Sequence, residues 1–320
     1  MKSFIGGIAY RVGDAVPIEE LFESNPEGTA ALNFFLARGL KYFRRQSAPV
    51  QGMFRECISE TLFKSGTSAA ALAAVLVDID AWCFSEADRL QILESLHLSG
   101  FGNVPVIGVG LQSCSAAATT LELADRLVRT DEEHRPVLVL ICGRPAPGEN
   151  RIDDARKTIL SDGVAACIVS AGRGEFQILS SATSTDLAAA REKARGGNQA
   201  VSLVSNCSNI AAVATEIRAR AGVSADDIDQ LFCTNGSSIY LNFAAEAAEV
   251  GLGRVYSDDV ANLGHIFSCD NLISLATYAE RRRYRNGDKY MLIGWSAYVI
   301  SGAILLYCGN HDARTAEASS

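Results

Sequence analysis

Histidine is scarce in this chain: four among 320 residues, His97, His134, His265 and His311. The nine cysteines contain no C-x-x-C pair and form no cluster with those histidines. The sequence therefore predicts neither a zinc site nor a disulfide framework, and it fits a reducing cytoplasm. Long apolar runs are missing too. Nothing approaches the ~20 residues that span a bilayer, and Met1-Lys-Ser-Phe-Ile-Gly-Gly is too short and too glycine-rich ahead of Arg11 for a signal peptide. Positive charge is in deficit, with 29 Lys and Arg against 37 Asp and Glu and a net charge of −8. That balance argues against nucleic acid or an anionic membrane as partner.

What is present is an apolar content of 48% and 27 glycines, the composition of a well-packed α/β protein. Its length exceeds one typical domain, which predicts two domains or one duplicated unit. Strand-like runs (3–9, 74–79, 136–142, 163–170) alternate with helical ones (29–36, 53–64, 86–96), and the pattern restarts near Gly172. Strands follow at 176–183, 230–234, 290–294 and 302–307, and helices at 210–221, 241–249 and 269–285. The alternation predicts mostly parallel, doubly wound sheets. The expected division is an N-terminal half over 1–172 and a C-terminal half over 173–320.

The most telling stretch is Val104-Pro-Val-Ile-Gly-Val-Gly-Leu-Gln-Ser-Cys114-Ser-Ala-Ala-Ala-Thr-Thr-Leu-Glu-Leu. A short strand runs into Cys114 and a small-residue helix begins at once. At a helix N-terminus, unpaired N–H groups and the helix dipole favour the thiolate, the nucleophilic form of cysteine. The competing reading is a buried small hydrophobe, the usual role of a free cysteine. The two halves also echo each other at an offset of about 150 residues. The helix after Cys114 leads through Asp131-Glu-Glu-His-Arg to an apolar strand, and the helix after His265 leads through Arg285-Asn-Gly-Asp-Lys to another. Cys114 and His265 thus occupy equivalent strand-to-helix junctions, which a pseudo-twofold would bring to one cleft. The other histidines fall in a polar loop (His134), at a helix end (His97) and in the tail (His311), where surface roles suffice. Asp270, in the first turn of the second helix, can be read as a simple cap.

These features resemble the thiolase-fold condensing enzymes, and among them ketoacyl-ACP synthase III. Four segments carry the resemblance: Arg38-Gly-Leu-Lys-Tyr-Phe-Arg-Arg, Ser113-Cys-Ser-Ala-Ala, Leu160-Ser-Asp162-Gly163-Val-Ala-Ala and Leu292-Ile-Gly-Trp-Ser-Ala-Tyr-Val-Ile-Ser-Gly-Ala. The resemblance implies an αβαβα layered architecture of duplicated halves. It also implies acyl transfer through Cys114, a carrier-protein or coenzyme A thioester as substrate, and no cofactor. The expected assembly is a homodimer, or a heterodimer with a related chain, paired through the apolar strand 137–142.

The departures from the family pattern matter as much. Where the family has the histidine of His-Gln-Ala-Asn, this chain has Thr234, followed by Asn235-Gly236-Ser237. Where it has the asparagine of Gly-Asn-Thr-Ser, this chain has His265. Those two family side chains stabilise the enolate of a decarboxylating donor, so the exchange weakens the case for condensation. Asn33, Ala37 and Ile239 stand where Trp, Arg and Arg would be expected along a coenzyme A tunnel, which favours a carrier-tethered donor. Relatives with a similar rearrangement are acyltransferases of natural-product pathways. The resemblance to them implies Cys114 as nucleophile, His265 as base, Asp270 as its orienting group, and the N–H groups of Cys114 and Ala297 as oxyanion donors, with Thr234 and Asn235 lining the pocket. The acceptor would be a small molecule with an oxygen, nitrogen or sulfur nucleophile. Two other readings remain: a β-ketoacyl synthase forming a carbon–carbon bond, and a non-catalytic partner subunit. Retention of both Cys114 and a histidine counts against the second. Asp162-Gly163 reads as structural. Arg281-Arg-Arg-Tyr-Arg285 reads as a helix C-terminal charge cluster or a carrier-protein patch.

Overall fold

The computed structural model describes residues 1–22, 28–47, 49–82, 85–153, 158–196, 199–281 and 284–312. In chain order the elements are β1 (Ser3–Val12), β2 (Asp14–Pro17), α1 (Gly28–Leu36), β3 (Tyr42–Arg45), α2 (Val50–Ser65), β4 (Ala74–Asp78), α3 (Glu86–Leu98) and β5 (Val106–Val109). Next come α4 (Ala116–Thr130), β6 (Val137–Gly143), β7 (Ile152–Asp153), β8 (Thr158–Ile159) and β9 (Gly163–Ala171). The second half contributes β10 (Arg173–Thr185), α5 (Leu187–Ala194), α6 (Gln199–Ala221), β11 (Gln230–Cys233), α7 (Ser238–Ala247), α8 (Val260–Leu263), α9 (Cys269–Arg281), β12 (Lys289–Trp295) and β13 (Val299–Asp312). None of the described helices is long and apolar enough to cross a membrane.

Nine strands form one sheet in the order β11-β12-β13-β10-β1-β9-β6-β4-β5. Strand order repeats about its middle. From β1 outward the first half runs β1, β9, β6, β4, β5; from β10 outward the second runs β10, β13, β12, β11, then a single parallel bridge from Leu231 to Val255. The β1–β10 junction is short, joining Phe4 to Gln177 and Ile5 to Phe176. The expectation of mostly parallel sheets needs correction. Among the described strand pairs only β4–β5, β4–β6 and β11–β12 are parallel, whereas the β1, β9, β10 and β13 pairings are antiparallel. A strand buried on both faces is an apolar run in either orientation, so composition does not distinguish the two.

The helices complete an αβαβα layering. Both α4 and α9 pack against strands of both halves and against each other, forming the central layer; α2 and α3 cover the outer face of the first half, and α6 and α7 that of the second. The small residues Ala116, Ala117 and Ala118 are fully buried, letting α4 approach strands on either side. The core follows the same plan, with one cluster around the central helices and one under each outer helix pair. A capping box between Ser85 and Asp88 starts α3, satisfying N–H groups that a helix beginning leaves open.

The strand 137–142 is not an assembly edge. It corresponds to β6, which lies between β4 and β9 with all seven residues buried. Its length and apolarity reflect a central position. The exposed edge is β5, only four residues long, with Val106 39% and Ile107 43% accessible. Two helices also differ from the expected bounds. The predicted 210–221 helix is the end of a longer one beginning at Gln199, and the helix from Cys269 ends at Arg281.

Candidate active site

Cys114 lies in a 3-10 turn, Ser113–Ser115, between β5 and the first residue of α4. Two non-glycine residues of the approach, Leu111 (φ 64°) and Ser113 (φ 51°), hold left-handed backbone. Such geometry costs energy and persists only where surrounding contacts enforce it. Here the Asp80 carboxylate, just past the end of β4, accepts hydrogen bonds from the N–H groups of Leu111 (2.9 Å), Gln112 (2.5 Å) and Ser113 (2.6 Å). On the far side the Ser301 hydroxyl donates to the carbonyl of Ser115. Gly294, on β12, admits the turn: a Cβ there would lie 2.9 Å from Ser115 Cα.

His265 reaches the same place from the second half. Gly264 (φ 62°) turns the chain so closely against Ile159 that a Cβ would meet its carbonyl oxygen at 2.6 Å. His265 then bridges to Leu160, its N–H donating to Ile159 O at 2.8 Å and its carbonyl accepting from Ser161 N at 2.8 Å. The side chain projects to the sulfur. His265 Nε2 is 3.3 Å from Cys114 Sγ, and Nδ1 is 2.6 Å from Asp270 Oδ2. All three residues are buried, at 2%, 0% and 1% exposure. Phe267, also left-handed at φ 52°, lays its ring 5.4 Å from the imidazole at an interplanar angle of 31°.

Asp270 does more than cap α9. Its carboxylate also accepts the N–H of Asn235 (2.7 Å) and of Ile266 (2.8 Å). Saturated with donors, it holds the imidazole in one orientation with the proton on Nδ1. Burial works against a charged His265, but the nearby charges of Asp270 and then Cys114 outweigh it, raising the imidazole to about 9 from an ordinary 6.5. An imidazolium beside the sulfur is the kind of neighbouring charge that stabilises a thiolate.

The remaining residues fall as follows. Asn235 is buried and structural to the site: its side-chain amide donates to Gly264 O at 3.0 Å, tying the end of β11 to the histidine loop. Thr234 is buried and its hydroxyl accepts the Trp295 N–H at 3.2 Å, so it links β11 to β12. Ala297 sits half-buried in the turn between β12 and β13. Among the described residues its N–H finds no acceptor. Asn33, Ala37 and Ile239 are exposed. They lie on or beside α1 and α7, whose neighbouring ends line a cavity of about 200 Å³ with Arg38, Gly236, Ser238 and Leu241. Asp162 is paired with Arg151 through two bonds of 2.9 and 3.0 Å, a structural clamp. His97 and His134 are exposed on the surface, and the His311 side chain lies outside the described residues, as do Arg282 and Arg283. Arg281 is engaged by the buried Asp259 at 3.0 Å.

Sequence reasoning missed Asp78, Asp80 and Ser268. Asp78 is fully buried and accepts the hydroxyl of Ser268 and, at 3.1 Å, the N–H of Asp80. Burial is the largest influence on its carboxyl; with the charges of Asp80 and Cys114 it overrides those hydrogen bonds and raises the group to about 7. Two acids at the end of an otherwise apolar strand, Ala74-Val-Leu-Val-Asp-Ile-Asp80, were the available signal.

Two sequence families match this chain: the 3-oxoacyl-[acyl-carrier-protein] synthase III family over residues 111–187 and the C-terminal region of that synthase over residues 219–308, together more than half of its length. The chain belongs to the ketoacyl-ACP synthase III family. Its architecture is the thiolase fold of that family, and solved structures agree. One is ChlB3, described as an acyltransferase, at 17% identity over 98% of this chain and 100% of that one, with a TM-score of 0.83. A second is a 3-oxoacyl-(acyl carrier protein) synthase III from Pseudomonas aeruginosa PAO1, at 14% identity, 97% and 99% coverage and a TM-score of 0.77. A third is the priming β-ketosynthase of the R1128 polyketide pathway, at 17%, 96% and 97%, and 0.72. At these identities the likeness establishes the fold. No protein of curated function matches the sequence. Cys114 lies within the first matched region and His265 and Asp270 within the second, facing each other across the site.

Proposed function

We propose that the chain is an acyltransferase that carries an acyl group on Cys114 and passes it to an oxygen, nitrogen or sulfur nucleophile. The observation that carries this reading is the continuous contact from Cys114 Sγ to His265 Nε2 and from His265 Nδ1 to Asp270. Facing the sulfur, the imidazole is placed to move protons.

The reaction is two transfers. The Cys114 thiolate attacks the carbonyl of a donor thioester, the carbon–sulfur bond to the donor breaks, and the leaving thiolate takes the Nε2 proton of His265. Acylation removes the sulfur charge that helped keep His265 protonated, leaving a neutral imidazole. That imidazole accepts the proton of the acceptor as its heteroatom attacks the acyl carbon; the bond to Cys114 breaks, and the thiolate–imidazolium pair returns. The Nδ1 proton stays on His265 throughout, hydrogen-bonded to the Asp270 carboxylate. The Ala297 N–H, in the β12–β13 turn, is the proposed donor to the carbonyl oxygen as it gains charge. Nothing in this cycle requires a cofactor. The donor is an acyl carrier protein or coenzyme A thioester. With Asn33, Ala37 and Ile239 exposed in place of tunnel-lining basic and indole groups, the carrier-bound form is favoured. The cytoplasm, a dimeric assembly and a place in natural-product biosynthesis complete the proposal.

The reading is tested by intact-protein mass spectrometry with a panel of acyl thioesters, followed by acceptor challenge. One acyl mass is expected on wild type and none on Cys114→Ala. His265→Ala should slow the transfer half-reaction by roughly 10²–10⁴-fold. With malonyl-carrier protein, no carbon dioxide and no chain-extended product are expected. A Cys114-dependent β-ketoacyl product would establish the condensing synthase instead, and a Cys114 that no thioester acylates would establish the non-catalytic subunit.

A further inference from the structure

Asp80 makes an unusual set of bonds for a residue 34 positions ahead of the nucleophile. One carboxylate collects the N–H groups of three successive residues, Leu111, Gln112 and Ser113, immediately before Cys114. Successive N–H groups converging on one point form an anion-binding concavity, and here the anion is supplied by the chain itself. Two of the three residues are left-handed without being glycine. Charge-assisted bonds of 2.5–2.9 Å are strong enough to offset that strain. Asp80 is in turn fixed from behind. Its own N–H donates to Asp78, and Asp78 accepts the hydroxyl of Ser268, three residues beyond His265. A continuous hydrogen-bonded path therefore joins the histidine loop to the residue preceding the nucleophile, through the end of β4.

We infer that Asp80 is a positioning residue for the proposed acyl transfer: its carboxylate moulds the nucleophile turn so that the Cys114 sulfur meets His265. The inference rests on the Cys114–His265 reading above and adds to it a group that touches neither sulfur nor imidazole. Removing the carboxylate leaves three N–H groups without their acceptor and lets Leu111 and Ser113 relax toward ordinary backbone. The sulfur then leaves hydrogen-bond range of His265 Nε2, and the thiol loses the cation that sustains its ionised form. The ionisable groups coupled to Cys114 are His265, from the second-half junction, and Asp78, from β4, with Asp80 and Asp270 next beyond them.

The test is the pH profile of Cys114 carbamidomethylation by iodoacetamide, read at that residue by peptide mass spectrometry. It needs no acyl donor. In wild type the alkylation midpoint is expected well below that of a free thiol. Asp80→Asn removes the charge while keeping one acceptor oxygen, and Asp80→Glu keeps the charge but displaces it by a methylene. Both are expected to move the midpoint up toward ~8.5, the value of an unassisted thiol, and to slow alkylation at neutral pH at least about tenfold, with Asp80→Asn the more affected. A stabilising cap alone would lower the melting temperature and leave that profile in place. Either variant, folded by circular dichroism and showing the wild-type profile, overturns the inference. His265→Ala separates the two proposals. If it fails to move the profile, the Cys114–His265 reading itself is at fault. If it moves the profile and the Asp80 variants do not, only the role of Asp80 falls.

Discussion

The carboxylate of Asp270 accepts the backbone N–H of Asn235 at 2.7 Å. That bond joins the N-terminal turn of α9 to the end of β11, and the same oxygen accepts the hydrogen bond of His265 Nδ1. A residue whose place in the first turn suits either a cap or an orienting group is the point where two chain segments and the imidazole are held together. Burial at 1% exposure keeps water from competing for its oxygens.

Asp270→Asn is expected to keep the shape of the site but to lose its orienting charge. An amide can present N–H toward Nδ1 and so favour the wrong tautomer, the outcome known for a triad acid replaced by its amide. Single-turnover transfer from acyl-Cys114 should fall by about 10²–10⁴-fold. An Asp270→Asn rate within threefold of wild type would remove Asp270 from the site.

The charge state of His265 gives stability a specific pH dependence. The group sits at about 9 in the folded chain against 6.5 when unperturbed. Folding thus favours its protonated form, so the contribution is complete below 6.5 and is lost as pH rises toward about 9. Melting temperatures of wild type and His265→Gln should differ by a constant amount in mild acid and converge, relative to that difference, across this window. Parallel curves through the window would mean that the resting imidazole is neutral.

Gly294→Ala tests how tightly the nucleophile turn is seated. The added Cβ would stand 2.9 Å from Ser115 Cα, main chain that can yield only by moving the turn. Overpacking of this kind typically costs about 1–3 kcal/mol. The variant should show a lower denaturant midpoint together with slower acylation of Cys114. Unchanged acylation in a destabilised protein would show that the turn tolerates displacement.

The exposed edge predicts how copies associate. Val106 and Ile107 on β5 stand 39% and 43% accessible, and Leu111, just beyond, 82%. An unpaired apolar edge invites strand pairing, and a charge placed on it opposes that pairing. Sedimentation should find a dimer for wild type and a monomer for Ile107→Lys. A dimer that persists in the variant would place the interface elsewhere.

Local pattern carried most of the architecture, because strands and helices announce themselves by periodicity and because Cys114 and His265 recur at matching junctions. It could not carry the pairing of strands. The run 137–142 and the run 163–170 are equally apolar, and only the assembled sheet makes β6 and β9 antiparallel neighbours. The same limit hid Asp80. Its partners are some thirty residues away, brought alongside by the parallel pairing of Asp78 with Val109, and no spacing rule connects them. Asp270 was visible but ambiguous, since a first-turn acid is favoured by the helix end whether or not an imidazole lies beside it.

The bridge between His265 and Leu160 has a consequence for how such a site can be remodelled. Position 265 is fastened by main-chain bonds to Ile159 and Ser161, and none of these involves its side chain. Whatever residue stands there projects from a backbone that the opposite half of the molecule has already fixed. A substitution at this address is therefore expected to change the group presented to Cys114 while the surrounding chain keeps its course.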